Sequence, residues 1–215
     1  MQRLSLDILQ HTVMRGLSHP LQCIPALIAL ETSDDAHISA KALQMHAHLS
    51  SKHQSILAVR YLDHARAAFE FRQARNGDYA TLRGYRDPDD PRSLLQQWYT
   101  LIRDRRQPRL DFLKGMIKAF DIDPNGEITE TNVLFARFVA DNLATMEYKT
   151  QEEVLAVLHE LKLILSVAGV QTNFLANETL ETEHQPYTPL SSPEKITRRG
   201  KISVSSRATG VRSHG

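Results

Sequence analysis

Apolar side chains recur at three- and four-residue intervals along most of this 215-residue sequence, and nowhere do they alternate in twos. That period lays them along one stripe of an α-helix and offers no face to a half-buried strand. The sequence therefore predicts an all-α chain. Glycine and proline, nine of each, are sparse before the C-terminal segment and fall where helices should start or stop. Helices are expected over 2–17, 22–31, 35–51, 53–76, 92–105, 108–121, 130–146, 150–168 and 170–181. Their short connections make neighbours antiparallel.

The stretch Cys23–Leu30 is apolar, Glu31-Thr-Ser-Asp-Asp35 is an acidic turn, and an amphipathic segment with Ile38, Ala42, Leu43, Met45, His46 and Leu49 follows. Pro25 is tolerated near a helix start, where its missing N–H is not needed. Ser33, Asp34 or Asp35 can accept from the free amides of the next helix. The pattern fits a HEAT-type helical hairpin, and any antiparallel helix pair as well. Segment 150–168 favours the first: Val154, Leu155, Val157, Leu158, Leu161, Leu163, Ile164, Leu165 and Val167 wrap more than one face. A helix apolar over so much of its surface is expected between layers of a stack. Thr150 and Glu153 form a capping box at its start. The predicted architecture is a HEAT-like α-solenoid of antiparallel pairs: hairpins over 1–76, a flexible connection over 77–91, further helices over 92–183, and a disordered basic tail over 184–215.

Net charge separates the last of these from the rest. The chain carries +1 overall, but residues 184–215 hold six basic residues against Glu194, which leaves residues 1–183 at −4. Rich in Ser, Thr, Pro, Gly and Arg, the tail cannot bury enough surface to offset its ordering entropy. A mildly acidic body does not read as a wholesale nucleic-acid-binding domain, so DNA contact there needs a local patch. The longest apolar runs are only a few residues, so no membrane span is expected. No basic start and apolar block follow Met1, so no secretory leader is expected. Cys23, the single cysteine, allows neither an internal disulfide nor a thiolate metal site. An intracellular, reduced, soluble chain is the expectation.

Asp121-Ile-Asp123-Pro-Asn125-Gly126-Glu-Ile128-Thr129 resembles a calcium loop at positions 1, 3, 5 and 6. Position 12 is Asn132, which has one neutral oxygen, and Glu130 comes two positions early. A Pro-Asn-Gly turn between helices is the preferred reading, and a calcium-responsive regulatory protein using 121–132 is the alternative. His46, His48 and His53 share no common helix face, and no cysteine or acid completes a zinc set around them. Phosphate-binding glycine loops and nucleophile elbows are absent from the sequence. No metal, no cofactor and no catalytic apparatus are expected.

Basic clusters are more informative. Arg103, Arg105, Arg106 and Arg109 straddle a helix break expected at Pro108, and Lys114 and Lys118 continue down the next helix. Such clusters bind phosphates or simply solvate a helix, and the interleaved Asp104 and Asp111 favour solvation. Arg103, Arg105, Arg106, Arg109 and Lys114 are the candidate DNA- or partner-contact patch. In the tail, Thr188-Pro and Ser192-Pro-Glu-Lys195 fit proline-directed phosphorylation, which would remove local positive charge. Arg198, Arg199 and Lys201 form a basic import or nucleic-acid motif.

Several strings then point to a family. They are Pro20-Leu-Gln-Cys-Ile-Pro-Ala-Leu-Ile-Ala-Leu-Glu-Thr32, His46-Ala-His-Leu-Ser-Ser-Lys-His53, Arg60-Tyr-Leu62, Arg66-Ala-Ala-Phe69 and Trp98-Tyr-Thr-Leu101. Arg109-Leu-Asp-Phe-Leu113, Phe138-Val-Ala-Asp-Asn-Leu-Ala144, Tyr148-Lys-Thr-Gln-Glu-Glu-Val-Leu155 and Ile164-Leu-Ser166 continue in order. Together they resemble, over about residues 1–172, the C-terminal region of the Nipped-B (adherin) family, the HEAT-repeat subunit of the cohesin loader, and of its fungal type. Members are much longer, so this sequence would be the last few helical repeats. The resemblance implies a nuclear, chromatin-associated scaffold, without catalysis of its own, that helps load cohesin for sister chromatid cohesion. It implies contacts with the kleisin, the SMC heads and DNA (without sequence preference), and stimulation of the SMC ATPase. The family's TPR-repeat partner binds a region absent here, so that contact is not expected.

Overall fold

The computed structural model describes residues 2–53, 60–76, 82–89, 91–121 and 129–183, with side chains described as far as 167. Eight α-helices run through them: α1 Gln2–Met14, α2 Pro20–Glu31, α3 Ala36–Lys52, α4 Tyr61–Asn76, α5 Gln96–Ile102, α6 Arg106–Ile117, α7 Glu130–Ala144 and α8 Gln151–Glu183. A 3-10 turn over Lys118–Phe120 extends α6. Among the described residues there is no strand, only the isolated bridge Tyr85–Ser93. The fold is all-α, as the periodicity predicts. Met1–Leu175 forms one compact unit, and Ala176–Gly215 forms a second, in which only the end of α8 is described. No described helix is long and apolar enough to cross a membrane.

Local chemistry sets the ends of these helices. Pro20 opens α2 two residues earlier than expected, and the His19 side chain accepts from Leu21 N–H. Asp35 caps α3, its carboxylate accepting from the amides of His37 and Ile38. α1 ends in a Schellman turn: Gly16, at φ 68°, donates to Val13 O, and Leu17 donates to Thr12 O. Pro108 does not break a helix. It falls in the first turn of α6, where the amide would have had no helical partner. Gly169 does not end α8 either, since one glycine costs only about 1 kcal/mol. α8 is thus a single 33-residue helix where two were expected.

α2 packs against α3 and α4, and α4 in turn against α6 and α7. Aromatic rings fill the middle of this stack. Trp98 and Phe112 meet edge to face at 4.9 Å, Tyr61 meets Phe112 at 5.4 Å, and Phe69 lies between Phe135 and Phe138. Such pairs add about 0.5–1.5 kcal/mol each to area burial. Gly115 lets α6 approach α4 closely; a Cβ there would stand 2.9 Å from Tyr61.

The described residues of the connection expected over 77–91 pack and bond against the helices. Leu82 is buried, and Gly84 lies so near α7 that a Cβ would meet Phe138 O at 2.3 Å. Arg86 donates to the carbonyls of Ser33 and Glu31. Asn142, fully buried on α7, accepts from Ser93 Oγ and Leu95 N–H and donates to Phe138 O. That amide explains why α5 spans seven residues and not fourteen: the segment before it is bound to α7.

Candidate docking surfaces

α6 and α8 lie side by side and point the same way. Arg106 pairs with Glu152 and Lys114 with Glu160, both 46 positions apart, a constant offset that requires parallel helices. An intervening antiparallel helix produces this relation in stacked hairpins, and α7 fills that position in the chain.

The predicted basic patch lies along this seam. Arg106 Nε donates to Glu152 at 2.9 Å, and Lys149 Nζ meets Asp104 at 3.0 Å. The Arg106 hydrogen bond holds the Glu152 carboxyl below the usual range, and the Lys149 hydrogen bond does the same for Asp104. Pairs as exposed as these add little to stability, because water screens the charges. Arg103, Arg105 and Arg106 flank the start of α6, with Arg103 half-buried and Arg105 and Arg106 exposed. Lys114 is exposed two turns further on.

Arg109 requires a correction as a contact residue, because it is buried. Its guanidinium donates to Arg103 O and lies 3.1 Å from Glu153 Oε1 and 3.6 Å from Glu152. Glu153 is itself wholly buried and gathers Tyr99 Oη–H at 2.5 Å, Lys149 N–H at 2.7 Å and Thr150 Oγ–H at 3.0 Å. Burial alone would raise the Glu153 carboxyl. The Tyr99, Lys149 and Thr150 hydrogen bonds and the Arg109 charge outweigh it and hold the carboxyl low. The Thr150 and Glu153 pair read as a capping box meets side chain to side chain, and its carboxylate is also an anchor between helices.

Burial between layers holds for one side of α8. Val157 is buried, and Leu161 and Ile164 pack on the core. Leu155, Leu158, Leu165 and Val167 are more than half exposed. An apolar groove of about 620 Å³ runs between Phe120, Leu143, Tyr148 and the α8 residues Val157, Leu161 and Ile164.

The histidines divide. His46 Nδ1 lies 2.6 Å from Glu31 Oε1, both buried, and burial raises the Glu31 carboxyl despite that partner. His64 is buried against Trp98 with Nδ1 unpartnered, and burial pushes it down to about 4. His48 and His53 line a pocket of about 540 Å³ with Arg15, His19 and Lys52, residues that sequence reasoning did not assemble. Among the described residues no group of histidines, cysteines and carboxylates could hold a metal ion.

The calcium-like loop lies mostly outside the described residues. Its twelfth position is described: Asn132 is in the first turn of α7, its amide held by Thr129 Oγ1 and its side-chain oxygen 3.5 Å from the Arg66 guanidinium. Thr188, Ser192, Arg198, Arg199 and Lys201 all lie outside the described residues.

Stacked helical hairpins with apolar and charged outer faces define a HEAT-like repeat module. The family model described as "Sister chromatid cohesion C-terminus" (Nipped-B_C) matches residues 1–164, and the chain belongs to that family. It is 31% identical over 166 residues to the Nipped-B-like protein of Homo sapiens, covering 77% of this chain and 6% of that protein. The Nipped-B-like protein B of Danio rerio gives the same identity and coverage. The sister chromatid cohesion protein mis4 of Schizosaccharomyces pombe is 25% identical over 174 residues, covering 77% of this chain and 10% of that protein. These similarities do not support a specifically fungal type. The fold is similar to the C-terminal fragment of the Chaetomium thermophilum cohesin loader SCC2, with a TM-score of 0.74 and 22% identity over 83% of this chain and 13% of that one. The chain thus spans about 6% of the length of its vertebrate relatives.

Proposed function

We propose that this chain is a non-catalytic docking module of a cohesin loader, acting at chromatin in the nucleus to support sister chromatid cohesion. The family match over residues 1–164 carries the reading. In it, the helical stack holds protein partners, the kleisin and SMC heads of cohesin, and thereby stimulates the SMC ATPase. The cations Arg103, Arg105, Arg106 and Lys114 touch DNA phosphates without reading bases. Arg109 takes no part in that contact and serves to hold α6 on α8.

Charge reversal at Arg103, Arg105, Arg106 and Lys114 in the longer loader tests the patch. Removing one phosphate-binding cation makes the slope of log affinity against log salt shallower by about 0.9. Equal slopes and equal SMC ATPase stimulation in wild type and variant remove the patch from the reading. Calcium has no part in this function: the Asn132 oxygen faces a guanidinium, and titration calorimetry with calcium is expected to show no heat.

A further inference from the structure

The pocket formed by the turn after α1 and the end of α3 differs from the α6–α8 seam in the charges that line it. Its charged and titratable lining is Arg15, His19, His48, Lys52 and His53, with no carboxylate among them. Among the described residues neither Arg15 nor Lys52 has an ion-pair partner, and both are exposed. By contrast, Lys41, only a few turns along α3, is matched by Asp7.

Helix electrostatics account for part of this. α1 and α3 both end here, and each C-terminus carries about half a negative charge that favours a nearby cation. Two ends supply roughly one negative charge, against two permanent cations and three imidazoles. Positive charge remains in surplus. The Schellman turn at Gly16 fixes the backbone that carries Arg15, and His53 closes α3 by donating its amide to Leu49 O. Both ends are therefore held in place before any ligand arrives.

We infer that this pocket binds an acidic peptide segment of another protein, one carrying an apolar side chain beside its carboxylates or phosphoserine. The remaining lining decides between peptide and nucleic acid. Val13, Met14, Leu17 and Leu49 form an apolar wall, Leu17 being 74% exposed. A phosphodiester backbone gains nothing from such a wall, whereas a Phe or Leu side chain buries against it. The pocket, about 540 Å³, falls in the range of concave ligand sites. This site does not depend on the cohesin-loader reading, and its residues are separate from the α6–α8 patch.

The test uses the 215-residue chain and three fluorescent probes: a short Asp/Glu-rich peptide with one Phe, a phosphoserine peptide with one Phe, and a short DNA duplex. Saturable binding of either peptide, weakened about tenfold or more by Arg15→Glu with Lys52→Glu at an unchanged melting temperature, supports the site. Which peptide binds more tightly identifies the anion. Should the reversed variant not fold, Arg15→Gln with Lys52→Gln carries the same test with a smaller loss. Three results overturn the proposal: no saturable binding of either peptide, binding indifferent to these substitutions, or tighter binding of the duplex through the same two residues.

Discussion

The α6–α8 seam and the pocket beside α1 are both rich in cations, yet they differ in what faces the charge. At the seam Arg106, Arg109, Lys114 and Lys149 each meet a carboxylate from another helix or loop. Around Arg15 and Lys52 the wall holds no acid at all. A run of arginines in sequence therefore says little about surface potential until tertiary partners are known. The densest cluster in the chain is largely neutralised, and the sparser one is not.

The largest expected effect breaks the seam where it is buried. Glu153→Ala leaves the buried Arg109 guanidinium only Arg103 O and the more distant Glu152, and should cost at the lower end of about 3–5 kcal/mol, read by denaturant or thermal unfolding. A loss below about 1 kcal/mol would mean that the pair is not an anchor. Acid gives a second, smaller break. Glu153, held low, contributes stability present above its unfolded value of 4.5 and lost as pH falls through its folded one. His64, at about 4 when folded against 6.5 unfolded, binds its proton more readily unfolded, so stability falls from pH 6.5 towards 4. Its share is on the order of 3 kcal/mol. Glu31, raised, opposes both and gains stability as it protonates. Unfolding followed from pH 7 to 4 should show a steeper loss in the wild type than in His64→Gln; parallel profiles would contradict the His64 assignment.

Smaller effects sharpen the contrast. A double-mutant cycle on Lys114 and Glu160, an exposed pair at 2.9 Å, should return about 0.5 kcal/mol or less. Arg15→Gln and Lys52→Gln should change stability by about 1 kcal/mol or less, the helix-end contribution, since neither has a described ion-pair partner to lose. A destabilisation above about 1 kcal/mol at either would show that the pocket is bonded internally after all.

Helix identity was readable because periodicity is local, and the start of α8 because Thr150 and Glu153 are three residues apart. Features set by distant residues were not. α5 is short because Asn142, over forty residues away, holds Leu95. Arg109 looks like its exposed neighbours until Glu153 meets it across two helices. α8 is apolar on more than one face, as expected, but the stack covers only one side of it among the described residues. The cation-lined pocket stayed invisible because its two walls lie about thirty residues apart and carry no motif.

The convergence at Glu153 has a consequence for how such sequences drift. Three donors and the Arg109 charge converge on one carboxylate, so replacing it alone takes the nearest anion from a buried cation, and replacing Arg109 alone takes the cation from a buried anion. Lineages should keep both or exchange both together, ion pair for hydrocarbon, whereas the exposed pairs of Arg106 and Lys114 bury no charge and carry no such coupling.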